Sequence, residues 1–187
     1  PFIPELTDDN ISKARDNITA KSVGLADPDS HNVHRIEIFA AQPDGPKVRC
    51  LLYQPKADED KNGAGYLHIH GGGYLFGSPD GSDLSNLLIA SKLGVTVLSV
   101  DYRLAPEHPI PAPLDDCYAG LAYLHDHAEE LGVDRSRIGI GGESAGGGLA
   151  AALAIKARDA GKYAVCFQAL TYPMLDDRTG SEQNPGD

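Results

Sequence analysis

Basic residues are scarce in this chain: 16 Lys and Arg stand against 27 Asp and Glu, a formal net charge of -11. A surface of that sign argues against nucleic acid or anionic membrane as a partner, since both demand a basic face. It suits a neutral small-molecule substrate better than a strongly anionic one. No apolar run approaches the length of a membrane helix, and Pro1-Phe2-Ile3-Pro4 lacks the basic and apolar regions of a signal peptide. Cysteine is sparse and odd in number, with Cys50, Cys117 and Cys166 far apart and no C-x-x-C pair. Three buried free thiols are the expectation, and with them a reducing, cytoplasmic setting. Internal repeats and low-complexity tracts are absent. The chain also lacks an initiator Met, so its start is expected upstream of Pro1.

What the chain does have is the composition of an ordinary globular domain: 187 residues, 41% hydrophobic and 23% charged. That length suffices for one sizeable core. Residues 5 to 23 are polar and helix-compatible, with Ile11, Ala14 and Ile18 on one thin stripe. Val33 to Phe39 alternates as a strand, Pro43-Asp44-Gly45-Pro46 is a turn, and Val48 to Tyr53 returns, an antiparallel hairpin at a sheet edge. Tyr66 to His70 is a short strand. Ser82 to Leu93 reads as a helix with Leu84, Leu87, Leu88 and Leu93 apolar and Gly94 closing it. Val95 to Val100 is a β-branched run of the kind covered on both faces. Leu114 to Leu131 has helical spacing, with Leu114, Cys117, Leu121 and Leu124 apolar. A strand near Arg137 to Ile140, a helix stopped by Gly161 and a last strand from Ala164 to Tyr172 complete the order. Strands alternating with helices after an opening hairpin predict an α/β fold with a mostly parallel sheet and an antiparallel N-terminal edge.

Two glycine-rich turns fall at the carboxyl ends of predicted parallel strands, where such sheets place ligands. Gly142-Glu143-Ser144-Ala145-Gly146 reads G-x-S-x-G between a strand and a helix, the setting of a nucleophile elbow. Alone, such a turn is equally consistent with close packing or phosphate binding. His70-Gly71-Gly72-Gly73 is the second turn, and a triple glycine after a strand can direct successive N–H groups into one small space. Two other readings lack parts. Gly139-Ile140-Gly141 opens a dinucleotide fingerprint, but Ser144 stands where the third glycine belongs. His68 and His70 share a strand face, but no third metal ligand is spaced to join them.

The motifs together resemble the hormone-sensitive-lipase-like carboxylesterases of the α/β-hydrolase fold. The resemblance rests on His70-Gly71-Gly72-Gly73-Tyr74, on Asp101 to Pro109, on Pro111-Ala112-Pro113 with Asp115-Asp116, on Gly142 to Gly147, and on Tyr172 to Asp177. It implies Ser144 as nucleophile and the N–H groups of Gly72, Gly73 and Ala145 as an oxyanion hole. It also implies a structural role for His70 and Gly71, a scaffold role for Tyr102 to Pro109, and no cofactor or metal. Residues 1–30 would be a cap-like helical segment and 31–187 the N-terminal portion of the catalytic domain. Tyr74, Leu75 and Phe76 would line the substrate pocket or simply pack beside it. Glu143 departs from the family, which usually carries Asp or another small polar residue there.

A larger departure follows from the order Ser, acid, His that this fold uses. All seven His precede Ser144. Asp176 and Asp177 follow it, but two acids after a strand more often cap a turn or face solvent. In the resembling family the acid and the His lie further on, so the fold is expected to be incomplete at its C-terminus. The fragment alone is then expected to be inactive until joined by a C-terminal portion of the same protein. The expectation is a serine hydrolase acting on short or medium acyl esters, with a non-catalytic small-molecule-binding protein of the same fold as the alternative.

Overall fold

The structure, a computed structural model, describes residues 7, 10–15, 25–43, 45–57 and 61–178. Six strands form one sheet: β1 (Val33–Ala40), β2 (Val48–Pro55), β3 (Gly65–Ile69), β4 (Thr96–Val100), β5 (Ile138–Glu143) and β6 (Phe167–Thr171). Three helices cross over between them: α1 (Asp83–Leu93), α2 (Ala112–Asp126) and α3 (Ala145–Ala160). The order across the sheet is β1-β2-β4-β3-β5-β6. β1 with β2 and β2 with β4 are antiparallel, and β4, β3, β5 and β6 run parallel. That is the mixed sheet expected from the opening hairpin and the later βα alternation.

Successive side chains of a strand point to opposite faces, and here each face meets its own helices. Cys50 and Leu52 of β2, with Leu98 and Val100 of β4, join Leu121 and Leu124 of α2 and Leu149 and Leu153 of α3 in the main core. Leu51 and Tyr53 of β2, with Val97 of β4, join Leu87 and Ala90 of α1 in a second cluster. Every residue of β4 is buried, which fits its nearly continuous run of apolar and β-branched residues.

Cys50 and Cys117 are buried free thiols as expected, but Cys166, just ahead of the last strand, is exposed. Three expectations about the elements also need correction. The apolar stripe predicted for α1 is not its buried face: Leu84, Leu88 and Leu93 are exposed, and Asp83, Asn86, Leu87 and Ala90 are buried. Those four still recur at helical spacing, but two are polar: Asn86 Nδ2 meets His68 of β3 at 3.4 Å while its Oδ1 has no partner among the described residues, and Asp83 is satisfied from other elements. Asp83 accepts hydrogen bonds from Arg35, the Tyr53 hydroxyl and the Ala26 N–H. Second, α2 ends at Asp126 rather than Leu131, and residues 127–132 continue as turns that still bury Ala128 and Leu131. Third, the last strand is confined to Phe167–Thr171. Of the N-terminal helix, residues 11–15 are helical with Ile11 buried, and Ile18 lies outside the described residues. Asp44 of the predicted turn and residues 179–187 also lie outside them.

Candidate active site

Ser144 joins β5 to α3 in a backbone conformation of φ 55° and ψ −118°. A side-chain-bearing residue adopts that geometry at a cost of about 1–3 kcal/mol, so surrounding contacts must hold it. They do so on both sides: the Ser144 N–H donates to the Thr171 carbonyl at 3.0 Å. Its own carbonyl accepts from Gly148 at 3.1 Å and Met174 at 3.0 Å. The start of α3 presses on the end of β3 so closely that a Cβ on Gly146 would lie 2.5 Å from the His70 carbonyl oxygen, and nearer still to that of Ile69. Small residues at the head of α3 therefore bring the elbow against the first glycine turn.

That turn begins where β3 stops. A Cβ on Gly71 would lie 3.5 Å from the Ser144 Cβ, so the two motifs are neighbours in space. Gly72 has φ 127° and its carbonyl accepts from Leu75 at 3.1 Å and Phe76 at 2.9 Å, folding the loop back on itself. Any side chain there would strike the Phe76 carbonyl. The Gly71 N–H is taken by Glu143 Oε1 at 2.9 Å. Among the described residues, the N–H groups of Gly72, Gly73 and Ala145 have no acceptor. Ser144, half-buried, thus stands next to a glycine loop two of whose N–H groups are uncommitted, with that of Ala145 following it in the chain.

His70 is buried and stacked on Tyr102, ring centroids 4.2 Å apart. Its Nδ1 lies 2.8 Å from the Gly71 carbonyl, which can only accept, so Nδ1 carries the proton. Burial pushes its pKa down to about 4, against a smaller opposing effect of the Gly71 carbonyl. The Tyr102 hydroxyl donates to the His70 carbonyl at 2.9 Å, fixing the entry to the glycine turn. No hydrogen bond links Ser144 to an imidazole among the described residues. Within them, no group of three or more His, Cys, Asp or Glu is placed to hold a metal.

Tyr74, Leu75 and Phe76 are partly buried and continue the loop. Tyr74 packs against the main core, and its hydroxyl faces α3 at Gly148. Asp176 and Asp177 are exposed, and Asp176 accepts from the Arg178 backbone N–H at 2.9 Å and guanidinium at 2.6 and 2.8 Å, a turn cap. Among the described residues, no helix is long and apolar enough to cross a membrane.

Four residues contribute in ways that the sequence did not assign. Arg15 donates to the carbonyls of Leu75 at 2.8 Å and Ala105 at 2.5 Å and pairs with Glu107 at 2.7 Å, tying residues 11–15 to the glycine loop and the Tyr102 to Pro109 block. Pro173 and Met174 cover the elbow, facing Gly147 and Gly148. Glu143 grips Gly71. The advance signals were the length of the Glu143 side chain, unusual for the motif, and the place of Pro173 and Met174 in the Tyr172 to Asp177 block; Arg15 had none.

The model of a family with the alpha/beta hydrolase fold matches residues 66–187. Esterase LipI of Mycobacterium tuberculosis is 36% identical over 162 residues, covering 84% of this chain and 51% of that protein. Arylacetamide deacetylase of Oryctolagus cuniculus is 42% identical over 135 residues, 68% of this chain and 34% of that protein. Among solved structures, a bacterial heroin esterase superimposes with a TM-score of 0.81 at 41% identity, covering 94% of this chain and 56% of that one. The chain spans about half the length of LipI and of the heroin esterase. Fold, motif geometry and these matches agree: the chain belongs to the hormone-sensitive-lipase-like carboxylesterase family of the α/β-hydrolase fold.

Proposed function

We propose that Ser144 is the nucleophile of a carboxylic ester hydrolase acting on small neutral esters with short or medium acyl chains. The observation that supports this reading is a strained, half-buried serine next to a glycine loop, with the N–H groups of Gly72, Gly73 and Ala145 left without acceptors among the described residues. Acyl transfer puts negative charge on the carbonyl oxygen, and preorganised N–H donors stabilise it without reorganisation. The Ser144 Oγ attacks the ester carbon and gives its proton to a base, while the carbonyl electron pair moves onto the oxygen held by Gly72, Gly73 and Ala145. Collapse breaks the ester C–O bond, the alcohol leaves with that proton, and water releases the acid from the acyl-enzyme.

The base and its orienting carboxylate are assigned to a C-terminal portion of the same protein. His70 does not serve: its ring is buried on Tyr102, and its low pKa suits a structural brace. Asp176 does not serve either, because its carboxylate is committed to Arg178. Tyr74 and Phe76 border the substrate space, and residues 1–30 act as a cap whose anchor is Arg15. The test is p-nitrophenyl acetate hydrolysis by the protein with its C-terminal portion present. Turnover should vanish on Ser144→Ala and be absent from the 187-residue chain alone. Undiminished turnover by the mutant refutes the nucleophile, and robust turnover by the isolated chain refutes the assignment of the base.

A further inference from the structure

The residue before the nucleophile makes more contacts than a strand-ending position requires. Glu143 ends β5, and while Oε1 accepts from Gly71, its Oε2 lies 3.3 Å from His68 Nε2. His68 Nδ1 in turn lies 2.9 Å from Ser99 Oγ and 3.4 Å from Asn86 Nδ2. An amide nitrogen can only donate, so Nδ1 is an acceptor and the ring proton sits on Nε2, directed at Glu143. His68, Ser99 and Asn86 are buried and come from β3, β4 and α1, with His68 in register with Ser99 on one side and Gly141 on the other. Burial opposes charge on Glu143, but the His68 hydrogen bond and the backbone N–H groups outweigh it and hold the carboxyl below its ordinary value. The carboxylate is therefore ionised, oriented at both oxygens, and attached to the first peptide of the glycine loop.

We propose that Glu143 is a positioning residue for the oxyanion loop: it fixes the Gly71 peptide, and so the direction of the Gly72 and Gly73 N–H groups, while His68 braces it. Of three consecutive glycine N–H groups the first is used to aim and the next two are left to stabilise charge. An Asp in its place is shorter by one C–C bond, about 1.5 Å, and from the same backbone holds Gly71 and His68 at longer range than Glu143 does. This inference rests on Ser144 as nucleophile. Its signature differs from that of a packing residue, because a misaimed oxyanion donor weakens the transition state and leaves substrate binding almost untouched.

The test uses the protein with its C-terminal portion and the variants Glu143→Ala, Glu143→Gln and Glu143→Asp, with p-nitrophenyl acetate as substrate. Expected are a kcat lower by roughly 10–100-fold in Glu143→Ala and a KM within roughly twofold of the parent. A trifluoromethyl ketone, whose Ser144 adduct carries an oxyanion, should lose affinity by the same factor. Glu143→Gln keeps the volume and one acceptor oxygen and should recover part of the loss, more than Glu143→Asp. Full kcat in the Ala variant overturns the proposal. So does an unchanged trifluoromethyl ketone affinity in Glu143→Ala alongside a lowered melting temperature, which marks a structural residue only. Fluorophosphonate labelling of Ser144 in the parent separates the two levels: labelling with indifferent Glu143 variants rejects this proposal alone, and no labelling rejects the nucleophile and this proposal with it.

Discussion

Adding one methyl group to Gly146 would push the two halves of the site apart. A Cβ there would lie 2.5 Å from the His70 carbonyl oxygen, 2.7 Å from the Ile69 carbonyl carbon and closer still to the Ile69 carbonyl oxygen. Real Cβ atoms essentially never come within 3.0 Å of such neighbours, and here every one is backbone rather than a side chain that can swing away. To relieve the contact, the first turn of α3 must move about 1 Å from the end of β3. Overpacking of that kind costs roughly 1–3 kcal/mol, a fall in melting temperature of about 2–12 °C at this chain length. The same displacement carries Ser144 away from Gly71 to Gly73, and a misplacement of about 1 Å costs on the order of 100-fold in rate. Gly81→Ala is the control, since no atom lies within 4 Å of a Cβ there and its φ is unexceptional. Melting curves and p-nitrophenyl acetate kinetics on both variants check the reasoning. Parental stability and kcat in Gly146→Ala would refute it.

Three further outcomes follow from the same geometry. Ser144→Gly relieves the φ of 55° and should be more stable than Ser144→Ala by roughly 1–2 kcal/mol, measured by urea titration, with both variants inactive. His70 has a folded pKa of about 4 against an ordinary 6.5, so between those values the unfolded chain binds the proton and the native one does not. Its contribution, about 3 kcal/mol, is complete above pH 6.5 and is lost as the pH falls to 4, so the stability gap between parent and His70→Gln should narrow over that interval. Arg15→Met removes the tie to Leu75, Ala105 and Glu107, and trypsin should then cut faster after Lys13 and Lys21 while the melting temperature of the sheet holds.

The parts of this site that were legible in the sequence are those where backbone geometry leaves little choice of residue. Gly72 must lack a side chain because the Phe76 carbonyl occupies the space, and Gly146 must because β3 does, so both motifs stand out in a single chain. β4 was legible because a strand covered on both faces reads as a nearly continuous run of apolar and β-branched residues. The face of α1 was not, because Asp83 and Asn86 count as polar until Arg35, Tyr53 and His68 are seen beside them. The same reason hid the Glu143 to Asn86 network: its members lie on four elements that only the sheet brings together. Arg15 was silent too, since two of its acceptors are backbone carbonyls, which no residue type announces.

The central claim is that Ser144 is a nucleophile backed by an oxyanion hole, and the most direct measurement is the site of covalent modification. The protein with its C-terminal portion is treated with a fluorophosphonate, digested, and mapped by mass spectrometry. The phosphonyl group should appear on Ser144, with loss of esterase activity in proportion to the labelled fraction. Full labelling of another residue, or complete inactivation with Ser144 unmodified, would contradict the account.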